Sequence, residues 1–243
     1  MDDKPMWCDK WTHIYGKLKV VSSGADEKKL LNDLLVIKFP TVLGFVNAHA
    51  MNSIVTNDLF FHSLASADIL LRDGSGMALL YKRKNRDAGL NMNGTDFIPK
   101  ILAAYRDRRV ALWGTEEPFL SLAAARAENE FGVKMVSVQH GFKKADDYCA
   151  LAKKDMPELI VLGMGMPKQE QVAAMIRSSE IPALIVCGGA IIDFLGGKVN
   201  RAPLWAREIG IEWLYRLLFE PKRLFMRYII GNPLFIVRLF RWF

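Results

Sequence analysis

Short apolar segments that alternate with helical stretches constrain the fold of this chain more than any other feature. Six of them are predicted as strands, and in chain order they read TVLGFVN, ADILLR, RVALWG, KMVSVQ, ELIVLG and PALIVCGGA. Helical stretches such as EEPFLSLAAARAENEFG lie between them, and LKVV with ADEKKLLNDLL is a candidate for one more strand and helix. Apolar strands that alternate with helices are typical of a mostly parallel sheet with helices on both faces. The sequence therefore predicts an α/β fold.

Small and polar residues follow the six predicted strands. The segments are NAH, DGSG, GTEE, QHGF, GMGMPKQE and GGAIID. Any one of them could be an ordinary turn. However, the carboxyl ends of parallel strands meet at one edge of a sheet, where such proteins bind their ligands. The joint occurrence of these segments therefore predicts one binding crevice at that edge.

Asp73 is the candidate catalytic residue of the DGSG segment. It directly follows the strand ADILLR, and Gly74 and Gly76 permit a tight turn into the next helix. A carboxylate at the mouth of a crevice is suited to act as general base for a hydroxyl nucleophile. Capping of the next helix explains the same residue equally well, so the residues alone leave both roles open.

Two further glycine-containing segments are candidates for ligand contact. In LGMGMPKQE, Gly163 and Gly165 allow a close approach of the backbone, and Lys168 with free N–H groups could meet a phosphate. The segment matches neither G-x-G-x-x-G nor the P-loop. In GGAIIDFLGGKVNRAP, Asp193 stands beside two glycine pairs, which fits either a plain turn or a lid over the crevice.

Histidines and cysteines give no sign of a metal or another cofactor. The four histidines are scattered, and the three cysteines (Cys8, Cys149 and Cys187) lie far apart. An odd number of separated cysteines is typical of a reducing compartment. The N-terminal residues are polar and lack the apolar core of a signal peptide, so we expect a cytoplasmic protein.

The C-terminal part of the chain differs from the rest in charge and pattern. The net charge is +7, and the residues from Arg201 onward carry eight basic and three acidic side chains, or +5 in 43 positions. After Gly197 aromatic and basic helices replace the strand–helix alternation, so we predict a catalytic core at 1–197 and an appendage at 198–243. Such a tail could bind nucleic acid, anionic lipid or a phosphorylated substrate.

Arginines and large apolar side chains share the segment EWLYRLLFEPKRLFMRYII. Arg216, Arg223 and Arg227 are spaced by seven and four residues, which on one helix places them within about 20° of each other. Pro221 must start a new helix or kink this one. Basic amphipathic helices lie in membrane interfaces, and guanidinium groups fit phosphate oxygens. A helix pair packed on the core, with solvated arginines, is the alternative.

No apolar run approaches the roughly 20 residues that cross a bilayer, so we expect surface contact with a membrane and no membrane span. The last residues, NPLFIVRLFRWF, could add a second interfacial anchor.

Five segments together resemble a known family. RDGSGM, NGTDF, LGMGMPKQE, GGAIIDFLGGKVNRAP and IGIEWLYRLLFEPKR follow one another from about Val20 to Tyr228, in the order and spacing of the WecG/TagA/CpsF glycosyltransferases, glycosyltransferase family 26. The resemblance implies a Rossmann-like core without a metal motif. It also implies an inverting transfer of a sugar from a UDP-sugar to a polyprenyl-diphosphate-linked sugar, peripherally on the inner face of the bacterial cell membrane, in cell-surface polysaccharide synthesis such as that of exopolysaccharides.

The resemblance also implies roles for individual residues. Asp73 matches the family's proposed base, and the appendage arginines Arg216, Arg223 and Arg227, to which we add Arg201, are candidates for binding the lipid diphosphate. The residues expected to contact donor or acceptor are Asn47, His49, Asn93, Thr95, Asp96, Gly114, Gly165, Lys168, Gln169, Glu170 and Asp193.

The chain departs from the family pattern at two places. Many members have Thr-x-Asn-x-Glu where this chain has Asn47 to Met51, so its preference for donor and acceptor can differ. Members often have paired arginines where this chain has Met226 before Arg227. UDP-glucose, UDP-N-acetylmannosamine and its uronic acid all stay open as donors.

Two other functions compete with the transferase. A nucleotide-dependent oxidoreductase on a similar sheet requires a G-x-G-x-x-G turn, which this chain lacks. A non-catalytic membrane-surface or nucleic-acid module would leave Asp73 and Gln169 dispensable and the crevice segments unexplained. Basic residues are concentrated in the tail, so we expect no nucleic-acid partner. Association into a homo-oligomer stays open.

Overall fold

The protein is described by a computed structural model that covers residues 5–203, 205–206 and 211–242. Within these ranges there are seven strands: β1 (Leu18–Lys19), β2 (Thr41–Val46), β3 (Ile69–Arg72), β4 (Arg109–Gly114), β5 (Lys134–Gln139), β6 (Leu159–Gly163) and β7 (Leu184–Cys187). They form one sheet in the order β1-β3-β2-β7-β6-β4-β5, and every neighbouring pair is parallel. The α/β prediction is confirmed, and the LKVV segment supplies β1.

Ten helices belong to the described part up to residue 197. They are α1 (Trp7–Lys17), α2 (Gly24–Asp33), α3 (Ala48–Thr56), α4 (Asp58–Ala65), α5 (Ser75–Arg83), α6 (Gly94–Ala104), α7 (Phe119–Phe131), α8 (Ala145–Asp155), α9 (Lys168–Arg177) and α10 (Ile191–Leu195). Helix α3 begins at Ala48, because Asn47 directly after β2 caps it.

Side chains of each strand point alternately to the two faces of the sheet, and both faces are covered. In β2, Val42 and Val46 join a core with α1, α3, α4, α5, α8 and α9, whereas Leu43 and Phe45 join a second core with α2, α6, α7 and α10. Strands buried on both faces explain the uninterrupted apolar runs of the sequence.

The C-terminal part consists of α11 (Glu212–Phe219), α12 (Pro221–Phe225), a π-helical turn (Met226–Ile230) and α13 (Gly231–Arg241). The chain breaks at Glu220 and Pro221 begins the next helix, one of the two outcomes predicted for this proline. The three arginines therefore do not lie on one straight helix, and the angle derived from their spacing does not apply to them.

The last helix, α13, packs on the core. Phe235 stacks on Trp11 of α1 with ring centroids 5.3 Å apart, and Trp242 meets the edge of Trp11 at 5.8 Å. The indole N–H of Trp242 donates to the carbonyl of Cys8 at 3.2 Å. One face of this helix is thus buried, and membrane contact of the predicted second anchor could involve only the opposite face. The boundary after residue 197 stays a prediction.

None of the helices within the described ranges is both long and apolar enough to cross a membrane.

Candidate active site

Asp73 and Asn47 lie side by side because their strands are neighbours. Val46 of β2 is paired in register with Arg72 of β3, so the residues that follow them meet at the carboxyl edge of the sheet. Asn47 Nδ2 donates to Asp73 Oδ2 at 3.2 Å, and the backbone N–H of Asp73 donates to Val46 at 2.8 Å. Both side chains line a cavity of about 740 Å³. Of the six strand-end segments predicted to form one crevice, NAH and DGSG line this cavity, and the other four do not.

Three helices begin at this cavity. Asn47 caps α3 through Ala50 N–H at 3.1 Å, and Asn93 caps α6 through Asp96 N–H at 2.9 Å. Gly74 precedes α5 with a φ of 87°, which favours glycine, and its N–H donates to Asn91 Oδ1 at 2.8 Å. Helix N-termini carry partial positive charge, so the three together favour an anionic ligand.

Arg216 and Arg227 bring two full positive charges to the same cavity from the C-terminal helices. The Nε atom of each is buried, and neither has a hydrogen-bond partner among the described residues. The carboxylate of Glu220 lies 3.9 Å from Arg216 Nη2, too far for a hydrogen bond. Buried guanidinium donors without partners are costly, so a ligand with oxygen acceptors would be bound favourably here.

Burial and charge shift the pKa values of three groups in the cavity. Burial raises the pKa of Asp73, and the hydrogen bond from Asn47 and the nearby arginines oppose that rise. Burial, helped by the charge of Arg227, lowers the pKa of His49 to about 4, so its imidazole is neutral at pH 7. Burial also raises the pKa of Glu212, with Arg201 and Arg216 opposing.

Several predicted site residues come together in the cavity, and others lie around it. Those that line it are Asn47, His49, Asp73, Asn93, Thr95, Arg216 and Arg227. Arg201 lies outside the lining and pairs with Asp96 at 2.7 Å, which connects the C-terminal part to the start of α6. The side chain of Arg223 lies outside the described part of the structure.

Gln169 joins two of the glycine-containing turns. Its side chain is 1% exposed, and its Oε1 accepts hydrogen bonds from the N–H groups of Gly165, after β6, and Gly189, after β7. Its Nε2 donates to Glu170 Oε1 at 2.8 Å. Gln169 therefore fixes the shape of the crevice edge next to β2, where Asn47 lies.

Lys168 is held by the loop after β5. Its ammonium donates to the carbonyls of Gly141 and Lys143, both at 2.8 Å. A phosphate contact of Lys168 stays a prediction, and it would require exchange of those two hydrogen bonds.

Gly114 and Asp193 lie at the same sheet edge, outside the cavity lining. A Cβ on Gly114 would come within 2.5 Å of the carbonyl oxygen of Gly163, so only glycine fits between β4 and β6. Asp193 accepts a hydrogen bond from Thr115 Oγ1 at 2.5 Å. Lys198 lies 4.0 Å from Asp193 and ties this turn to Glu116.

Sequence reasoning gave no role at the site to several residues that line the cavity, among them Asn91, Glu212 and Tyr228. Asn91 stands two positions before Asn93, a predicted site residue, and that closeness was the available signal. Glu212 belongs to a segment chosen for its arginines, and its carboxylate was given no role there.

Among the described residues, no group of three His, Cys, Asp or Glu side chains could hold a metal ion.

Residues 22–243 match the sequence profile of the glycosyl transferase WecG/TagA/CpsF family. The chain belongs to this family. The resemblance noted from the five segments is thereby confirmed, and so is transferase activity, which excludes the oxidoreductase and the non-catalytic module. Helix α1 and strand β1 precede the matched residues of this WecG/TagA/CpsF glycosyltransferase.

A curated relative of this glycosyltransferase is N-acetylglucosaminyldiphosphoundecaprenol N-acetyl-beta-D-mannosaminyltransferase of Bacillus subtilis (strain 168). The two are 24% identical over 192 residues, which cover 76% of this chain and 74% of the relative.

Proposed function

We propose that this glycosyltransferase moves a sugar from a UDP-sugar to a saccharide linked to polyprenyl diphosphate, with inversion at the anomeric carbon. The observation that carries the proposal is the position of Asp73 in a cavity that also contains the buried Nε atoms of Arg216 and Arg227. A base next to a diphosphate site is what an acceptor of this kind requires. The name of the Bacillus subtilis relative, which specifies a diphosphoundecaprenol acceptor, supports the same substrate class.

The chemical step needs one base and stabilisation of one leaving group. The acceptor hydroxyl oxygen attacks the anomeric carbon and its proton passes to Asp73. The bond from that carbon to the donor diphosphate breaks, and UDP leaves with the electron pair. The raised pKa of Asp73 makes it a stronger base than an ordinary aspartate. Asn47 donates to the carboxylate and so holds Asp73 at the cavity.

Two anionic groups must be bound at once, and two sets of residues are available. We assign the lipid diphosphate to Arg216 and Arg227, which belong to the C-terminal helices. We assign the UDP diphosphate to the turns after β6 and β7, where Gln169 holds Gly165 and Gly189. The N–H groups of Gly165 and Gly189 donate to Gln169, so other backbone N–H groups of these turns would stabilise the phosphate charge.

Membrane contact is part of the proposal, because the acceptor is a lipid. Large apolar side chains of the C-terminal helices are exposed: Leu218, Phe219, Phe225, Met226, Ile230, Val237 and Phe240. Exposed apolar side chains of this density, next to basic ones, fit the interface of an anionic bilayer. We place the protein on the cytoplasmic face of the cell membrane. A vesicle flotation experiment tests this, with Leu218→Glu and Phe240→Glu expected to lower the bound fraction.

Transfer is tested by UDP release from a panel of UDP-sugars, with and without a polyprenyl-diphosphate monosaccharide in vesicles. Asp73→Asn should lower acceptor-dependent release by roughly 100-fold or more. Asp146→Asn, on an exposed aspartate of α8, is the matched control and should retain activity. NMR of the product reports the anomeric configuration. UDP release that does not depend on the acceptor would contradict the proposed acceptor class. Full activity of Asp73→Asn would show that Asp73 is not the base.

A further inference from the structure

The cavity has an apolar wall in addition to its polar and cationic one. Asp73, the asparagines and the two arginines account for the polar part. The remaining large side chains are Leu79, Trp213, Tyr228, Ile229, Pro233, Phe235 and Ile236. A base or a sugar ring can stack on Trp213 or Tyr228, but neither has a hydrocarbon chain to cover the aliphatic side chains of this wall, so those are unexplained by the reacting groups alone.

The apolar wall continues between α5 and α13. At the start of α5, a Cβ on Gly76 would lie 3.0 Å from Ala48 Cβ and 3.6 Å from the Phe235 ring, so the two helices meet closely there. Leu79 and Ile236, which also line the cavity, are 41% and 43% exposed.

One helical turn further along each helix, the guanidinium of Arg83 lies 5.1 Å from the Phe240 ring centroid. Residues four apart share a helix face, so Leu79 and Arg83 face Ile236 and Phe240. We call the strip formed by Leu79, Pro233, Ile236 and Phe240 the proximal-chain groove.

The groove is continuous with the two arginines, because Arg216, Arg227, Leu79 and Ile236 line one cavity. A ligand that fits the whole cavity has an anionic group joined directly to a hydrocarbon chain. We propose that the proximal-chain groove binds the first isoprene units of the lipid acceptor, next to its diphosphate. This inference rests on the proposed function and extends it from the diphosphate to the chain.

The consequence is that the enzyme recognises the lipid itself and does not rely only on its concentration in the membrane. Chain recognition should therefore persist in solution, where no bilayer is present. Burial of even two methylene groups corresponds to about a tenfold change in affinity.

The experiment compares two water-soluble acceptors with the same sugar diphosphate, one ending in a geranyl group and one in a methyl group, without detergent or vesicles. For the wild type we expect a KM for the geranyl acceptor about tenfold lower or better. Ile236→Asn and Leu79→Asn should remove most of that preference, measured as the ratio of the two KM values within each variant. Val237→Asn is the matched control, because Val237 is 51% exposed and does not line the cavity.

The outcomes separate the groove from the proposed function. Transfer to the full-length lipid acceptor in vesicles is measured first, and its absence overturns the proposed function together with the groove. If that transfer is present and the geranyl acceptor is used no better than the methyl acceptor, the groove alone is overturned. The same conclusion holds if neither soluble acceptor is used. Equal effects of Ile236→Asn and Val237→Asn on the geranyl KM also overturn it, because they would indicate a general surface effect.

Discussion

Asn47 Nδ2 lies 3.2 Å from Asp73 Oδ2, while Oδ1 of the same asparagine caps α3. One side chain therefore both begins a helix and holds the candidate base. The donated hydrogen bond favours the ionised form of Asp73 and opposes the effect of burial on its pKa.

Replacement of Asn47 should consequently move the pH dependence of the reaction. Asn47→Ala removes an interaction that lowers the pKa of Asp73, so that pKa rises and the acidic limb of kcat/KM shifts to higher pH. The lost cap should also cost about 1 kcal/mol of the free energy of unfolding. Asn57→Ala is the control, since Asn57 caps α4 through Phe60 N–H at 2.8 Å and lies outside the cavity. An unshifted limb in Asn47→Ala would mean that Asp73 is not the base.

The affinity for inorganic diphosphate should respond in opposite directions to two substitutions in the cavity. Arg216→Met removes a charged donor and should weaken binding about tenfold. Glu212→Gln removes a carboxylate that offsets the charges of Arg201 and Arg216, so binding should tighten. Isothermal titration calorimetry at low salt measures both, with Arg126→Met on α7 as a control for net charge. If the two substitutions changed affinity in the same direction, the cavity would not be an electrostatic diphosphate site.

Stability should fall between about pH 4.5 and pH 7 because of Glu170. Burial raises the pKa of this carboxyl from 4.5 to about 7, so the folded chain binds the proton more tightly than the unfolded chain does. The folded state is then stabilised at low pH, and that contribution is lost as the pH rises through the folded-state pKa. A shift of this size corresponds to about 3 kcal/mol.

Glu170→Gln should remove this slope in urea unfolding measured from pH 5 to 8, because a glutamine can still accept the hydrogen bond from Gln169. Glu180→Gln, at an exposed position, should leave it in place. A slope that persists in Glu170→Gln would assign it to another group.

Trp242→Ala should release the end of α13 before the rest of the protein unfolds. Trp242 is buried against Trp11 and Tyr15, and loss of a buried tryptophan side chain costs about 3–5 kcal/mol. Hydrogen exchange in α13 should accelerate while exchange in β6 and β7 stays slow. Trp205→Ala, at an exposed tryptophan, is the control. Equal acceleration in the central strands would show that α13 and the sheet open as one unit.

The sheet was predictable because its central strands are buried on both faces and therefore leave an apolar run in the sequence. Helix α1 was not predicted, because the N-terminal residues are mostly polar and the partners of its buried side chains, such as Met51 and Phe235 for Trp11, lie far along the chain. Asp73 and Asn47 were found because each directly follows a strand. Arg216 and Arg227 line the same cavity from helices separated by the break at Glu220. A prediction based on residue spacing along one continuous helix cannot include such a break.

Phe235 has two neighbours of different kinds: its ring stacks on Trp11 from the first helix and also forms part of the cavity wall. Helix α1, which precedes the residues shared with the family, therefore supports one wall of the active site from behind. A shortened version that begins at residue 22 would retain every residue that matches the family and still lose the support behind its lipid-facing wall.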